Sequence, residues 1–311
     1  MTEVLGFKPD GDGEHDFLWI EKRNANTVWL AHQLASFAGI EARDVGYAGM
    51  KDRLAVTRQW FSVRRPGGTP ANWDTLNVEG VTVLDTSRNT RKLRRGAHAG
   101  NQFQIVIRDV GQADKNSLEG IIRIIAEDGV PNYFGEQRFG REGNNLGLAM
   151  SLFAGKRLNR EKRSIALSSA RAWIFNHVLQ QRVEARSWSV LGSGDIAALD
   201  GSGSIFTVDE VDETIQRRCQ QLDLHPTGPL YGEGGNPPAT EKTVVDLFPE
   251  YAKGLEKQTK ASRRPLRLAV RDLSASLADD IVTLDFYLAR GGFATAVLRE
   301  LAIYKSFSNN T

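Results

Sequence analysis

A single carboxylate, Asp52, lies in the glycine-punctuated stretch Gly46-Tyr47-Ala48-Gly49-Met50-Lys51-Asp52-Arg53. It stands in sequence between two cations, Lys51 and Arg53, which favour a charged oxygen between them. Such an oxygen at a loop tip suits a nucleophile or a base better than a general acid. The competing reading is a turn cap with two solvated cations, because Asp and Gly dominate turns. Further along, Asn101 and Phe103 open an otherwise aliphatic strand face shared with Ile105 and Ile107. The stretch Pro131-Asn132-Tyr133-Phe134-Gly135-Glu136-Gln137-Arg138-Phe139-Gly140-Arg141 is dense in rings, amides and arginine. Those groups stack on bases and pair with phosphates, although a buried hinge has the same composition. Phe293 follows Gly291-Gly292 and is either a ring offered for stacking or a staple against Val297 or Leu298.

Other chemistries find little support. The five histidines are scattered without ligand spacing and Cys219 is the single cysteine, so neither a zinc site nor an internal disulfide is expected. Gly46–Lys51 lacks the Gly-Lys-Ser/Thr of a phosphate loop, and no G-x-S-x-G elbow precedes a helix. Gly192-Ser193-Gly194-Asp195-Ile196-Ala197 matches a dinucleotide fingerprint only nominally, since Asp200-Gly201-Ser202-Gly203 breaks any following helix. The 311 residues carry a net charge of only +2, yet basic residues cluster at Arg88–His98, Lys156–Arg163 and Lys253–Arg271. Clustering of that kind in a nearly neutral chain is a footprint of nucleic-acid binding. What remains is cofactor-free carboxylate chemistry on a nucleic acid.

The elements that must position these residues are partly legible. The length favours two domains, and no apolar run is long enough for a membrane span. Phe17–Lys22 reads as a buried strand, and Thr27 as the N-cap of a helix through Ala38 that stops at Gly39. Strands are expected at Leu54–Val63, ended by Pro66-Gly67-Gly68, and at Val78–Leu84, Gly100–Arg108 and Ile281–Leu288. Helices are expected at Ser117–Glu127, Ser169–Arg186 and Ala294–Tyr304, with Trp173 and Phe175 as core. Pro226–Pro238, rich in proline and glycine, reads as irregular loop.

With these residues assembled, Ala48-Gly49-Met50-Lys51-Asp52-Arg53 followed by Ala55, Thr57 and Gln59 resembles the active-site motif of TruD-type tRNA pseudouridine synthases. Gly100-Asn101-x-Phe103, the run Asn132–Gly140, Arg264-Pro265-Leu266, and Phe293-Ala294-Thr295 with Leu298-Arg299-Glu300-Leu301 match the family's other motifs in order. The resemblance spans nearly the whole chain. It implies an α+β fold, with a mixed-sheet pseudouridine synthase catalytic core built from residues 1–127 and 265–311. A mainly helical TruD-specific domain, residues 128–264, would be inserted between them. It also implies isomerisation of a uridine of tRNA to pseudouridine, with position 13 the family's usual target and Asp52 the nucleophile. Asn101, Phe103 and Phe293 would hold and stack the base, while Lys51 and Arg53 would keep Asp52 charged and draw in phosphate. The implied protein is a cytoplasmic monomer whose partner is tRNA, with no metal and no cofactor. In one respect the chain departs from the family, whose members usually begin with an extended Asp-Phe-x-Val segment ahead of the stretch matching Leu5-Gly6-Phe7. Here Met1-Thr2-Glu3-Val4 stands there, so a missing strand and an opened sheet edge are expected. A tRNA-binding or folding-helper module impaired in turnover is the alternative this departure implies.

Overall fold

The fold is given by a computed structural model that describes residues 1–65, 71–111 and 115–301. The expected strand end at Pro66-Gly67-Gly68 and residues 302–304 of the expected last helix lie outside the described residues. The first part of the chain forms β1 (Thr2–Val4), β2 (His15–Lys22), α1 (Thr27–Ala38), β3 (Val45–Tyr47), β4 (Thr57–Arg64), β5 (Val81–Asn89) and β6 (Gly100–Ile107). There follow α2 (Lys115–Asp128), β7 (Val130–Pro131), α3 (Asn144–Phe153) and α4 (Arg160–Glu184). Next come β8 (Ile196–Leu199), β9 (Ile205–Thr207), α5 (Glu213–Gln220), β10 (Leu224–Leu230), α6 (Ala239–Val245) and α7 (Pro249–Glu256). The chain continues through β11 (Ser262–Pro265), β12 (Arg267–Leu268), β13 (Arg271–Ala278), β14 (Ile281–Ala289) and α8 (Ala294–Leu301). By compactness these residues form two units, Met1–Gly111 with Asp272–Gly291, and Gln112–Arg271 with Gly292–Thr311. The cuts fall at 111/112 and 271/272, where the sequence suggests 127/128 and 264/265, and α8 groups with the second unit.

The first unit is built on a mixed sheet in the order β13-β14-β6-β1-β4-β2-β5, with β3 added on β4. Its one parallel pair among the described residues is β1 with β4, and β1 runs antiparallel to β6 through Thr2↔Gln102, Glu3↔Asn101 and Val4↔Gly100. The open edge expected at the start of the chain is therefore not found there. Residues 2–4 are an interior strand, and the sheet ends at β13 and β5. Helix α1 covers the sheet, with Leu30 and Leu34 packed with Leu18, Ile20, Phe61 and Val63 in a core without solvent exposure. Its N-cap is Asn26, whose Oδ1 accepts from the N–H groups of Val28 (2.8 Å) and Trp29 (3.3 Å), and not Thr27 as the sequence suggests. Gly39 ends the helix in the left-handed region at φ 67°. β5 runs on to Asn89, beyond the expected end at Leu84, because an edge strand tolerates the polar stretch Asp85–Arg88.

The second unit is organised by α4, whose 25 residues start well before the expected Ser169. Asn159 caps it by accepting from the Lys162 N–H, so the basic run Arg160–Arg163 belongs to its first turn. Phe175, Val178 and Leu179 are buried in a cluster with Phe134 and Leu266. The expectation of an irregular Pro226–Pro238 is corrected for its first five residues, because Leu224–Leu230 is a buried strand paired with both β8 and β11, whereas residues 231–238 are irregular apart from one isolated bridge at Glu233. The prolines lack donors but still accept, and the Leu266 N–H reaches Pro226 O at 2.8 Å. Gly228 is needed in this strand, since a Cβ there would come within 2.8 Å of Leu266 and 3.1 Å of the Phe175 ring. Asp195, part of the rejected fingerprint, ends a turn and pairs with Arg182 at 2.8 Å.

Candidate active site

The Gly49–Arg53 turn is held by side chains from three neighbouring elements. Thr27, at the start of α1, is fully buried, and its Oγ1 accepts the Lys51 N–H at 3.0 Å and contacts Gln59 Oε1 at 3.1 Å. Gln59, buried in β4, donates through Nε2 to Gly49 O at 3.2 Å. From the end of β2, the fully buried Lys22 donates from Nζ to Ala25 O (2.7 Å) and to Asp52 O (2.9 Å). Asp52 itself is exposed, and its Oδ1 accepts the Leu54 N–H at 3.0 Å. Among the described residues its second oxygen has no hydrogen-bond partner, so the carboxylate is oriented through one oxygen and open at the other. The competing turn-cap reading is thus half realised: Asp52 caps the turn through Oδ1 and still leaves its other oxygen open.

Lys51 does not serve Asp52 in the way its sequence position suggests. Its side chain is 3% exposed and its ammonium lies 2.7 Å from the fully buried carboxylate of Glu3. The same Nζ donates to Asn101 Oδ1 at 2.9 Å. Glu3, on β1, also accepts the Trp60 N–H at 3.1 Å. The cation whose charge acts on Asp52 from inside the fold is Lys22. Burial pushes the Lys22 ammonium below its ordinary pKa, Asp52 opposes that fall, and Lys51 adds to it. Burial likewise pushes the Glu3 carboxyl up, against the pull of Lys51. Arg53 is exposed and, among the described residues, makes no ion pair.

His98 closes one side of this cluster. A Cβ on Gly49 would lie 3.3 Å from Lys51 Nζ and 3.4 Å from the His98 ring, so the glycine permits the close approach. Burial, with Lys51 and Arg290 nearby, pushes the His98 pKa down to about 4, which keeps the ring neutral at physiological pH. Phe103, two residues along β6 from Asn101, stacks on Phe286 at 5.3 Å between ring centroids. Asp52, Lys51, Asn101 and Phe103 therefore share one unit. Sequence reasoning missed Glu3, Lys22, Thr27 and His98. Their chemistry is ordinary in sequence, and only the strand register and the helix start bring them to the turn.

In the second unit, Phe293 sits 6.2 Å from Phe134 between ring centroids, and the Arg264 guanidinium lies 5.7 Å from its ring. Arg264 also stacks on Phe134 at 4.3 Å and donates to Asn132 Oδ1 at 2.5 Å. Asn132 in turn donates to Pro265 O at 2.9 Å. The Asn132–Gly140 run, Arg264-Pro265-Leu266 and Phe293 thus form one constellation, in which Phe293 packs against the cluster that holds Phe134 and Leu266. Among the described residues no group of three or more His, Cys, Asp or Glu is placed to hold a metal ion. No helix among them is long and apolar enough to cross a membrane.

Comparison with known proteins gives a consistent result. A family model described as tRNA pseudouridine synthase D (TruD) matches residues 1–155 and 151–301. A curated tRNA pseudouridine synthase D of Methylococcus capsulatus is 47% identical over 311 residues, which cover 97% of this chain and 87% of the relative. Another, of Colwellia psychrerythraea, is 41% identical over 325 residues, covering 99% and 88%. The crystal structure of a Methanosarcina mazei protein assigned as tRNA pseudouridine synthase D aligns with a TM-score of 0.70. That alignment covers 96% of this chain and 90% of the other at 21% sequence identity, a likeness of fold.

Proposed function

This chain belongs to the tRNA pseudouridine synthase D (TruD) family, and from that premise we propose that Asp52 is the nucleophile with which it converts a uridine of tRNA, at position 13, into pseudouridine. The unit carrying Asp52 is the catalytic core, and the mainly helical unit is the family-specific insertion. The observation that carries the assignment is the half-anchored carboxylate of Asp52, fixed at Oδ1 by the Leu54 N–H and open at its other oxygen. A charged carboxylate so oriented can attack the uracil ring or the anomeric carbon of the ribose. The N-glycosidic bond then breaks, the uracil turns within the site, C5 bonds to the ribose carbon, the C5 proton leaves, and the carboxylate is regenerated.

Asn101 gains a defined role from its neighbour. An ammonium can only donate, so Lys51 must face the amide oxygen, and the Asn101 NH₂ group is turned out as a donor. That donor suits a carbonyl oxygen of uracil, with Phe103 as a wall beside it. The uridine must leave its stack, which costs a few kcal/mol, and Phe293, in the second unit, is assigned as a ring on which a base of the RNA stacks. No residue in this scheme calls for a metal or a cofactor, and the protein acts as a cytoplasmic monomer. tRNA tritiated at uracil C5 tests the assignment, because tritium is released only when C5 is re-bonded. Asp52→Asn is expected to abolish release while leaving tRNA binding largely intact. Continued release by Asp52→Asn would show that another group is the nucleophile.

A further inference from the structure

A cavity of about 300 Å³ opens within the second unit. It is lined by Gln137 and Arg138 of the short turn Glu136–Arg138, by Asn145 at the start of α3, and by the half-buried ring of Phe293. Among the described residues no Asp or Glu lines it.

The polar groups of this cavity are set by their neighbours. The Arg138 carbonyl accepts from Ser169 Oγ at 2.7 Å and from Asn145 Nδ2 at 3.2 Å. A carbonyl can only accept, so the Asn145 amide turns its NH₂ towards Arg138 and keeps Oδ1 as an acceptor. A Cβ on Gly140 would lie 2.9 Å from this amide, so the glycine lets it close in. The Arg138 guanidinium donates from Nη1 to Ser168 Oγ at 3.1 Å and lies 5.5 Å from the Phe134 ring. Among the described residues its other nitrogens make no hydrogen bond and no carboxylate pairs with it, and the Gln137 amide likewise makes no hydrogen bond. Burial nevertheless pushes the Arg138 guanidinium below its ordinary pKa. Donors withdrawn from water in this way are costly unless something accepts from them. A ring with a few convergent polar groups is the usual form of a binding pocket.

The chemistry selects a base. A ring wall takes the face of a base, whereas a phosphate would leave the ring and the amides idle. An arginine fork donates to N7 of a purine, the acceptor that adenine and guanine share. The Gln137 amide has a donor end and an acceptor end, so it matches either N6 or O6 beside that N7. The target uridine is already provided for in the first unit by Asp52, Asn101 and Phe103. We propose that this cavity is a purine pocket, in which a base of the tRNA other than the target uridine stacks on Phe293 and turns its N7 edge to Arg138 and Gln137. The pocket rests on the tRNA-modifying reading given above and specifies which class of base the second unit grips.

The test uses the full chain. Gln137 is exposed, so Gln137→Ala leaves the fold intact, while Arg138→Lys keeps the charge and loses the fork. tRNAs are prepared with each nucleotide near the target made abasic in turn, and with each nearby purine replaced by its 7-deaza analogue, which exchanges N7 for C–H. Gln137→Ala is expected to weaken binding of unaltered tRNA roughly five- to tenfold. The slope of log K against log salt should not move, because no phosphate contact is lost. At one purine, the abasic RNA should bind the wild type more weakly and should erase the Gln137→Ala penalty. The 7-deaza analogue at that purine should weaken the wild type and leave Arg138→Lys unaffected. A penalty that persists with every abasic RNA would overturn the pocket. Coupling to a pyrimidine, the target uridine included, would overturn the purine assignment, and a shallower salt slope in Gln137→Ala would replace the base with a phosphate. Tritium release by the wild type checks the underlying reading separately: if it fails, the function is wrong whatever the couplings show.

Discussion

At the scale of single residues, the candidate site depends on a buried ion pair that no catalytic argument would have selected. Lys51 is bound on one side by Glu3 and on the other by Asn101, so its charge sets a donor's direction as well as balancing a carboxylate. Lys51→Met would leave Glu3 buried and uncompensated, and removing one partner of such a pair destabilises by about 3–5 kcal/mol. Urea denaturation should show that loss, and Glu3→Gln added to Lys51→Met should recover part of it. Recovery that never appears would mean the loss comes from packing and not from the orphaned charge. The exposed Asp52 should behave oppositely, with Asp52→Asn changing stability by about 0.5 kcal/mol or less. Asp52 and Asn101 are legible in sequence because a carboxylate in a glycine turn and an amide at a strand mouth stand out by type. Glu3, Lys22 and Thr27 are not. A buried polar side chain looks like any other in sequence, and its partner is fixed only when β1 registers against β6 and α1 starts beside the turn.

At the scale of elements, the sequence reads well where one period dominates and poorly where composition misleads. β6 and β14 alternate cleanly, and their expected bounds agree with the observed ones almost to the residue. β10 reads as loop because proline and glycine usually punctuate. There the proline carbonyls still serve the sheet, and Gly228 admits Leu266 and Phe175. The cap of the helix before the Asp52 turn lies one residue from its expected place, and the difference matters. Asn26 satisfies the free N–H groups, which releases Thr27 to hold Lys51. Asn26→Ala should therefore cost about 1 kcal/mol, read as a lower denaturation midpoint. If Thr27 shared the capping role, the cost would be smaller and Thr27→Ala would look the same.

At the scale of the whole molecule, stability should fall with acid in separate windows. His98 has a folded pKa of about 4 against an ordinary 6.5, so the unfolded chain binds more protons between those values. Its contribution is full above 6.5 and is lost as pH falls towards 4. In Asp200, burial favours the neutral acid, but hydrogen bonds from His225 and Arg271 prevail and hold it down to about 2. That contribution is full above 3.8 and disappears as pH falls through 2. Burial raises Glu3, Glu241 and Glu300, which works in the opposite sense. A melting-temperature series against pH should accordingly flatten between 4 and 6.5 in His98→Asn, and an unaltered slope there would remove His98 from the explanation.

The strand order carries a further consequence for how the chain is made. β6 is complete once Ile107 has been synthesised, but its partner β14 begins at Ile281. In between, the ribosome must deliver the whole of the second unit up to Arg271. During that interval one flank of β6, the strand bearing Asn101 and Phe103, is a bare edge able to pair with any passing strand. The half of the protein that carries Asp52 is thus begun first and finished late, and the cell must guard an unfinished sheet for most of the time the chain takes to emerge.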